Sequence, residues 1–307
     1  MYRPVAATAG VINHAVRDNN VVGVNNQRTE VNNLSGAAWL GVGATVALVA
    51  LTAYGLAVHP VPKVVGIGWV AFVAMAGAAL LGVRTGFDHP RGLVWGYGLA
   101  SGMMVTSAAV FLVPPAIGHD PTVGGFGVAL GLLAGFAAHT LGHRALHLDL
   151  PLDHTALEIT AHALSAGVII GVVYSSMPAL GPLLGLAIVS HKGPAGYAAA
   201  RRLSHQGKPV SMLLLPASGV GIAALVATLL HVPGSPPIQA AVFGFAAGIF
   251  LHVAMDFLPR CETGSEIYDL VGGSEGDHAL LDRLRAHAVV STAVGALVVF
   301  GAWLAVA

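Results

Sequence analysis

The sequence predicts an all-α polytopic membrane protein of about nine transmembrane helices, and three observations carry that prediction. Of 307 residues, 55% are hydrophobic and only 9% charged, about a third of the charged share of an average soluble domain. The mean hydropathy is +0.77. Apolar windows of about 20 residues follow one another with short Gly/Pro breaks, as a chain without lipid-exposed loops arranges them. The net charge is zero, which leaves no basic face for nucleic acid. A single cysteine, Cys261, rules out an intramolecular disulfide and a cysteine-based zinc cage, so any metal is held by His, carboxylate or thioether. Histidine is abundant, with 15 residues against 14 Lys plus Arg.

Residues 1–35 are polar and Asn-rich and contain no apolar run, so they are expected to form a mobile cytoplasmic tail. They lack the charged start and apolar core of a cleavable signal, which leaves the first span to direct insertion. The membrane domain is expected over 36–307, with spans near 36–58, 64–83, 93–115, 123–142, 155–177, 181–200, 211–230, 238–257 and 287–307. The second window is weakened by glycine, the sixth by His191, Lys192 and Pro194 inside it.

Basic residues alternate with this scheme. Twelve fall on one side (Arg3, Arg17, Arg28, Arg84, Arg91, Arg144, Arg201, Arg202, Lys208, Arg260, Arg283, Arg285), Lys63 falls on the other, and Lys192 lies within a span. The positive-inside rule then places the N-terminus in the cytoplasm and the C-terminus outside, in a multi-pass cell (plasma) membrane protein. The loop from Pro259 to Ala286 carries Glu262, Glu266, Asp269, Glu275, Asp277 and Asp282 with His278. It is expected to be a solvated acidic linker, with weak cation capture as the alternative.

Ionisable groups inside apolar spans are costly unless they face a cavity, a partner or an ion. The fifth and sixth windows hold several. His154, Glu158 and His162 recur at i, i+4, i+8 and form one stripe on a helix; His191-Lys192-Gly193-Pro194-Ala195-Gly196 interrupts the next span. His139 and His143 form an i, i+4 pair on the fourth span, and His252 and Asp256 another on the eighth. Imidazole mixed with carboxylate suits zinc, iron or manganese better than calcium. His139 and His143 have an alternative as interfacial side chains that snorkel, and Asp256 as a cap or an arginine partner. Pro194 removes a backbone hydrogen bond and frees a carbonyl, so an unwound turn there is expected. Lys192 beside His191 repels a divalent ion unless it points elsewhere or is neutral.

At these residues the chain resembles the ZIP family of divalent metal transporters. His162-Ala-Leu-Ser-Ala166-Gly167 and His191-Lys-Gly-Pro194-Ala195-Gly196 are similar to the motifs of that family's fourth and fifth core helices. Ser101-Gly-Met103-Met104 with Phe111-Leu-Val-Pro114 resembles the second, and the stretch from Gly244 through Gly248, His252 and Asp256 to Pro259 the seventh. The resemblance covers spans two to nine. It implies an eight-helix core built as an inverted repeat, with one extra N-terminal helix, and it adds Met103 or Met104 to His162 and His191 as metal ligands. It also implies that Asp256 lies at the cytoplasmic exit.

The chain departs from the family pattern at the acids. The motif glutamates are Ala166 and Ala195, the sixth core helix around Pro216, Ser218, Gly219 and Ile222 has no carboxylate, and the second-metal positions are Ala163 and Lys192. Glu158 and Asp256 are the acids left to replace part of the lost charge.

The expected function is movement of a divalent transition metal toward the cytoplasm, zinc first, with iron or manganese as alternatives. The metal is the transported substrate, not a resident cofactor, and the chain is not expected to be an enzyme. His139, His143, Glu158, His252 and Asp256 would serve the exit side. Because neutral imidazole is the ligand form, transport is expected to fall as pH drops through the histidine range. A metal-binding relative that no longer transports is the first rival. An intramembrane zinc hydrolase using His139, His143, His252 and Asp256 is the second. Expected partners are the lipid bilayer, divalent metal ions and, as an open option, a second copy in a homodimer.

Overall fold

The computed structural model describes residues 36, 38–58, 61–84, 90–145, 154–177, 181–229, 234–261, 267–268 and 278–305, and among these the side chains of 141–145, 154, 155, 158 and 278 lie outside the description. The predicted tail over 1–35 and most of the acidic linker fall outside the described residues.

The described residues are helical throughout. In chain order the helices are α1 (Ala38–Ala57), α2 (Pro62–Arg84), α3 (Arg91–His119), α4 (Pro121–Ala145), α5 (His154–Ser176), α6 (Leu183–Val189), α7 (Lys192–His205), α8 (Leu214–Ala227), α9 (Pro236–Asp256) and α10 (His278–Leu304). A 3₁₀ turn, Val210–Leu213, leads into α8. Eight of these segments are long and apolar enough to cross a membrane, and they fall on eight of the nine predicted windows. The chain is a multi-pass membrane protein.

Local chemistry explains the starts and breaks. Asp120 caps α4 by accepting from the backbone N–H of Thr122 and Val123, both at 3.0 Å, as an N-cap carboxylate does. α9 opens on Pro236 and Pro237, where a missing N–H costs nothing. α3 widens into a π turn at Ala108–Leu112 just ahead of Pro114 and Pro115; the extra residue relieves the clash that a helical proline makes with the preceding turn.

The remaining predicted window, the sixth at 181–200, is two short helices, α6 and α7, separated by Ser190 and His191. The break precedes the proline. Pro194 sits in the first turn of α7, where proline is tolerated, and the Ala195 N–H donates to the His191 carbonyl at 3.0 Å, so the turn expected to unwind at Pro194 is helical. The last helix begins at His278, not near 287. Its polar first turns escape a hydropathy window, yet Leu281 and Leu284 are buried; Leu284 packs in one cluster with Leu93, Val94, Ala198, Cys261 and Ile267.

Four helix pairs make the tightest interfaces: α4 with α9, α3 with α10, α5 with α8, and α2 with α7; α2 also packs on α8, and α3 on α9 and α7. Glycine permits each of the four. A methyl group on Gly131 would lie 2.2 Å from the Phe245 carbonyl oxygen, on Gly102 2.0 Å from that of Thr292, on Gly167 2.3 Å from that of Val220, and on Gly196 2.5 Å from that of Met75. Between apolar helices in lipid, such close backbone approach supplies the dispersion contact that holds the bundle together. Interhelical hydrogen bonds add to it: Ser101 Oγ donates to the Ala254 carbonyl at 2.8 Å and Ser107 Oγ to that of Ala187 at 2.9 Å. α5 and α8 are the most enclosed, with 67% of their apolar windows buried, against 17–22% for α1, α4 and α10. The outer faces of α4 and α10 present Phe126, Leu130, Leu133 and Phe136, and Val289, Leu297 and Phe300, which suit lipid.

Candidate metal-binding cavity

His162 stands on α5, on the same helix as the small residues Ala163, Ala166 and Gly167 that let α5 close on α8. His191 stands at the break between α6 and α7, where the backbone is not committed to either helix. The two imidazoles meet. Their Nε2 atoms are 3.0 Å apart and their ring centroids 5.2 Å, with His162 7% exposed and His191 fully buried. Phe250 of α9 presents its ring edge-on to both, at 5.8 and 5.6 Å. Among the described residues the His162 Nδ1 has no hydrogen-bond partner, and the His191 ring faces the Ile188 backbone.

The separation bears on metal chemistry. Two nitrogens about 3.3 Å apart form one edge of a tetrahedral zinc site with Zn–N bonds near 2.05 Å. The observed 3.0 Å brings both within reach of one ion at an N–metal–N angle of about 94° on the same bond length, and a few tenths of an ångström of opening would make it tetrahedral.

Lys192 is 1% exposed, its Nζ has no hydrogen-bond partner among the described residues, and it lies within electrostatic reach of both rings. Ala163, Ala166 and Ala195 occupy the apolar core together with Met104; Met103 is half-buried on α3. Gly167 and Gly196 sit at close helix approaches, so their place in the motifs has a steric reason.

A second group assembles one layer away. His139 Nδ1 is 3.8 Å and His252 Nε2 3.3 Å from Asp256 Oδ2, and one ligand atom from each of the three lies within 4.8 Å of the others. His139, from one of the i, i+4 pairs singled out in the sequence, thus meets the other pair, His252 and Asp256, across the α4–α9 interface, where Gly135 leaves room for the His252 ring. The positions of His143 and Glu158 fall on α4 and α5, but their side chains lie outside the described residues.

A cavity of about 600 Å³ joins the two groups. Its lining includes His162 at one place and His139, His252 and Asp256 at another, drawn from the start of α3, the end of α4, the first half of α5, α7 and the end of α9. His191 and Lys192 do not line it. Beyond His162 along α5, Ala166, Ile169, Ile170 and Val173 are buried in one apolar cluster with Val220, Ala224 and Ile188. His162 and, one turn further along α5, Ser165 both line the cavity.

Three features of the site escaped sequence reasoning. Phe250, an aromatic in an apolar helix, carries no mark of its contact with both imidazoles. Arg202 and Arg260 served only to orient the chain, yet both line the cavity. Tyr97, whose spacing from the Ser101-Gly-Met103-Met104 stretch is one helical turn, was the detectable one. The sequence matches no protein-family model and no curated protein.

Proposed function

We propose that this chain moves a divalent transition metal, zinc first, across the membrane toward the cytoplasm, using His162 and His191 as the central site and His139, His252 and Asp256 as the exit. One observation carries the reading: a cavity lined by His162, whose imidazole stands 3.0 Å from that of His191, and by His139, His252 and Asp256. Space and donors inside the bundle are what an ion carrier needs between its two open states. Arg91, Arg201, Arg202, Arg260 and Arg285 stand on the helix ends around the cavity, which favours its facing the cytoplasm.

The packing pattern supports an inverted repeat. Exchanging α2 with α8, α3 with α9, α4 with α10, and α5 with the α6–α7 unit turns the α5–α8 interface into α2–α7 and the α3–α10 interface into α4–α9, all four of which are present. The same exchange swaps His162 with His191 and Gly167 with Gly196. The central site would then lie on the pseudo-axis, where alternating-access carriers hold their substrate.

The test is uptake of zinc, iron and manganese into proteoliposomes, comparing wild type with the His162→Ala/His191→Ala double variant. Loss of uptake of one metal in a variant that stays monodisperse is the expected result; uptake at the wild-type rate would overturn the proposal. Lys192, buried without a hydrogen-bond partner beside the pair, favours a second reading, a metal-binding relative that does not transport. That reading gains if wild type retains zinc but takes up none.

A further inference from the structure

α3 and α9 share one packing register, and it sets different chemistry on the two flanks of the imidazole pair. Gly102 on α3 meets the Thr292 carbonyl of α10 as Gly248 on α9 meets that of Val128 on α4, and Gly131 on α4 meets the Phe245 carbonyl as Gly295 on α10 meets that of Leu99. A single alignment satisfies all four contacts. It is the same exchange of α3 with α9 and α4 with α10 that the helix pairing supports. Just beyond these glycines it brings Met104 opposite Phe250, while the same exchange swaps His162 with His191. Met104 and Phe250 are both fully buried and belong to one apolar cluster.

Phe250 touches both imidazoles. The three ring centroids form a triangle with sides of 5.2, 5.6 and 5.8 Å. In a tris-imidazole zinc site, bonds of about 2.05 Å at tetrahedral angles, with ~1.15 Å from nitrogen to ring centre, put the centroids roughly 5.2 Å apart. The phenyl ring thus stands where a third imidazole would stand, and it has no lone pair to offer. Buried aromatic rings pack at about 4.5–7 Å in any core, so spacing alone does not mark a ligand place. The register adds an independent observation: the matching position on the other flank holds a thioether, a donor, where this one holds hydrocarbon.

We infer that Phe250 is a specificity-determining residue of the inner site, filling a ligand place with hydrocarbon so that the ion is held shallowly and moves on to the His139–His252–Asp256 group. The inference rests on the reading of His162 and His191 as metal ligands. Two neutral nitrogens and one soft sulfur hold a divalent ion less firmly than a full tetrahedral set.

The experiment measures zinc, cadmium and manganese binding to the purified full-length protein by equilibrium dialysis, and zinc uptake into proteoliposomes. Phe250→Met makes the two flanks alike at little change in volume. It should bind cadmium about tenfold or more tightly than wild type and manganese within about twofold of it, because thioether sulfur serves soft ions. Phe250→His offers the third imidazole and should tighten zinc binding about tenfold or more, with slower zinc uptake, and the gain should vanish in His162→Ala/Phe250→His. Phe250→Leu, which brings no donor, is the packing control and should bind all three metals within about twofold of wild type. Unchanged cadmium and zinc affinity in Phe250→Met and Phe250→His, an equal gain in Phe250→Leu, or tighter zinc binding with undiminished uptake overturns the inference; if Phe250→His does not fold, Phe250→Met decides alone. Tighter binding in these variants, beside a wild type that takes up no metal, leaves the ligand place standing and removes the transport reading. Uptake that depends on His162 and His191, with no gain in any Phe250 variant, keeps the transport reading and removes this one.

Discussion

If the His139–His252–Asp256 group holds the metal as proposed, replacing Gly131 with alanine should disable it without touching any of those three side chains. A methyl group there would lie 2.2 Å from the Phe245 carbonyl oxygen and 3.1 Å from the Gly248 Cα, all backbone that has no rotamer to yield. An ordinary carbon–oxygen contact needs about 3.3 Å, so α4 and α9 must part by roughly 1 Å at that level. His139 lies two turns further along α4, and its Nδ1 is already 3.8 Å from Asp256 Oδ2. Two atoms can share an ion only within about 4.1 Å, twice a bond of 2.05 Å. A parting of 1 Å carries this pair past that limit. Zinc binding measured by calorimetry on purified protein should therefore fall toward the level of His139→Ala. Overpacking of this kind also costs about 1–3 kcal/mol, visible as a lower unfolding temperature in detergent. Gly125→Ala is the control, on the same helix with nothing within 4 Å of the added methyl. Unaltered zinc affinity in Gly131→Ala, or an equal loss in Gly125→Ala, would refute the reasoning.

Two other outcomes follow from buried groups. Lys192→Met removes an ammonium whose Nζ is buried without a hydrogen-bond partner among the described residues, so the variant should unfold at higher temperature, by the roughly 1–3 kcal/mol an unsatisfied buried donor costs, and should bind zinc more tightly; a destabilised variant with weaker binding would show that Lys192 is a structural partner. The Cys261 thiol is pushed up from its ordinary range by burial, opposed by the nearby Arg285 guanidinium, whose Nη2 donates to the Cys261 carbonyl at 3.3 Å. Maleimide should label the native protein slowly, and in Arg285→Ala the alkylation profile should move to higher pH, because the cation that favours the thiolate is gone; a shift to lower pH would contradict this.

What the sequence discloses here follows from the range of the forces involved. Apolar length is local, so eight windows became helices, seven of them at nearly their predicted bounds. The expense of an ionisable group in an apolar run is also local, and it singled out His162, His191, Lys192, His139, His252 and Asp256, which the fold gathers into two neighbouring groups. Helix pairing is not local. The glycines of α4 at positions 127, 131 and 135 look like a helix-weakening excess until Gly244, Gly248 and His252 are seen opposite them. Arg202 and Arg260 were visible as charge but not as cavity wall, since that depends on the ends of α7 and α9 reaching the same cavity. The early start of α10 was hidden because its buried residues, Leu281 and Leu284, are interleaved with Asp282, Arg283 and Arg285.

Under the transport reading, the absence of acids from the central motifs has a directional consequence. At the inner pair an ion meets two neutral imidazoles, alanines at positions 166 and 195, and the buried Lys192 within electrostatic reach. At the outer group it meets two imidazoles and the Asp256 carboxylate. A divalent ion 5 Å from a unit charge gains or loses about 7 kcal/mol at an effective dielectric of 20. The Asp256 carboxylate therefore draws the path outward along the cavity, from His162 to Asp256. A site with matched acids at both stations would hold its ion at the centre; this one passes it toward the end where the arginines stand. Direction is then set by the acid at the outer group, Asp256.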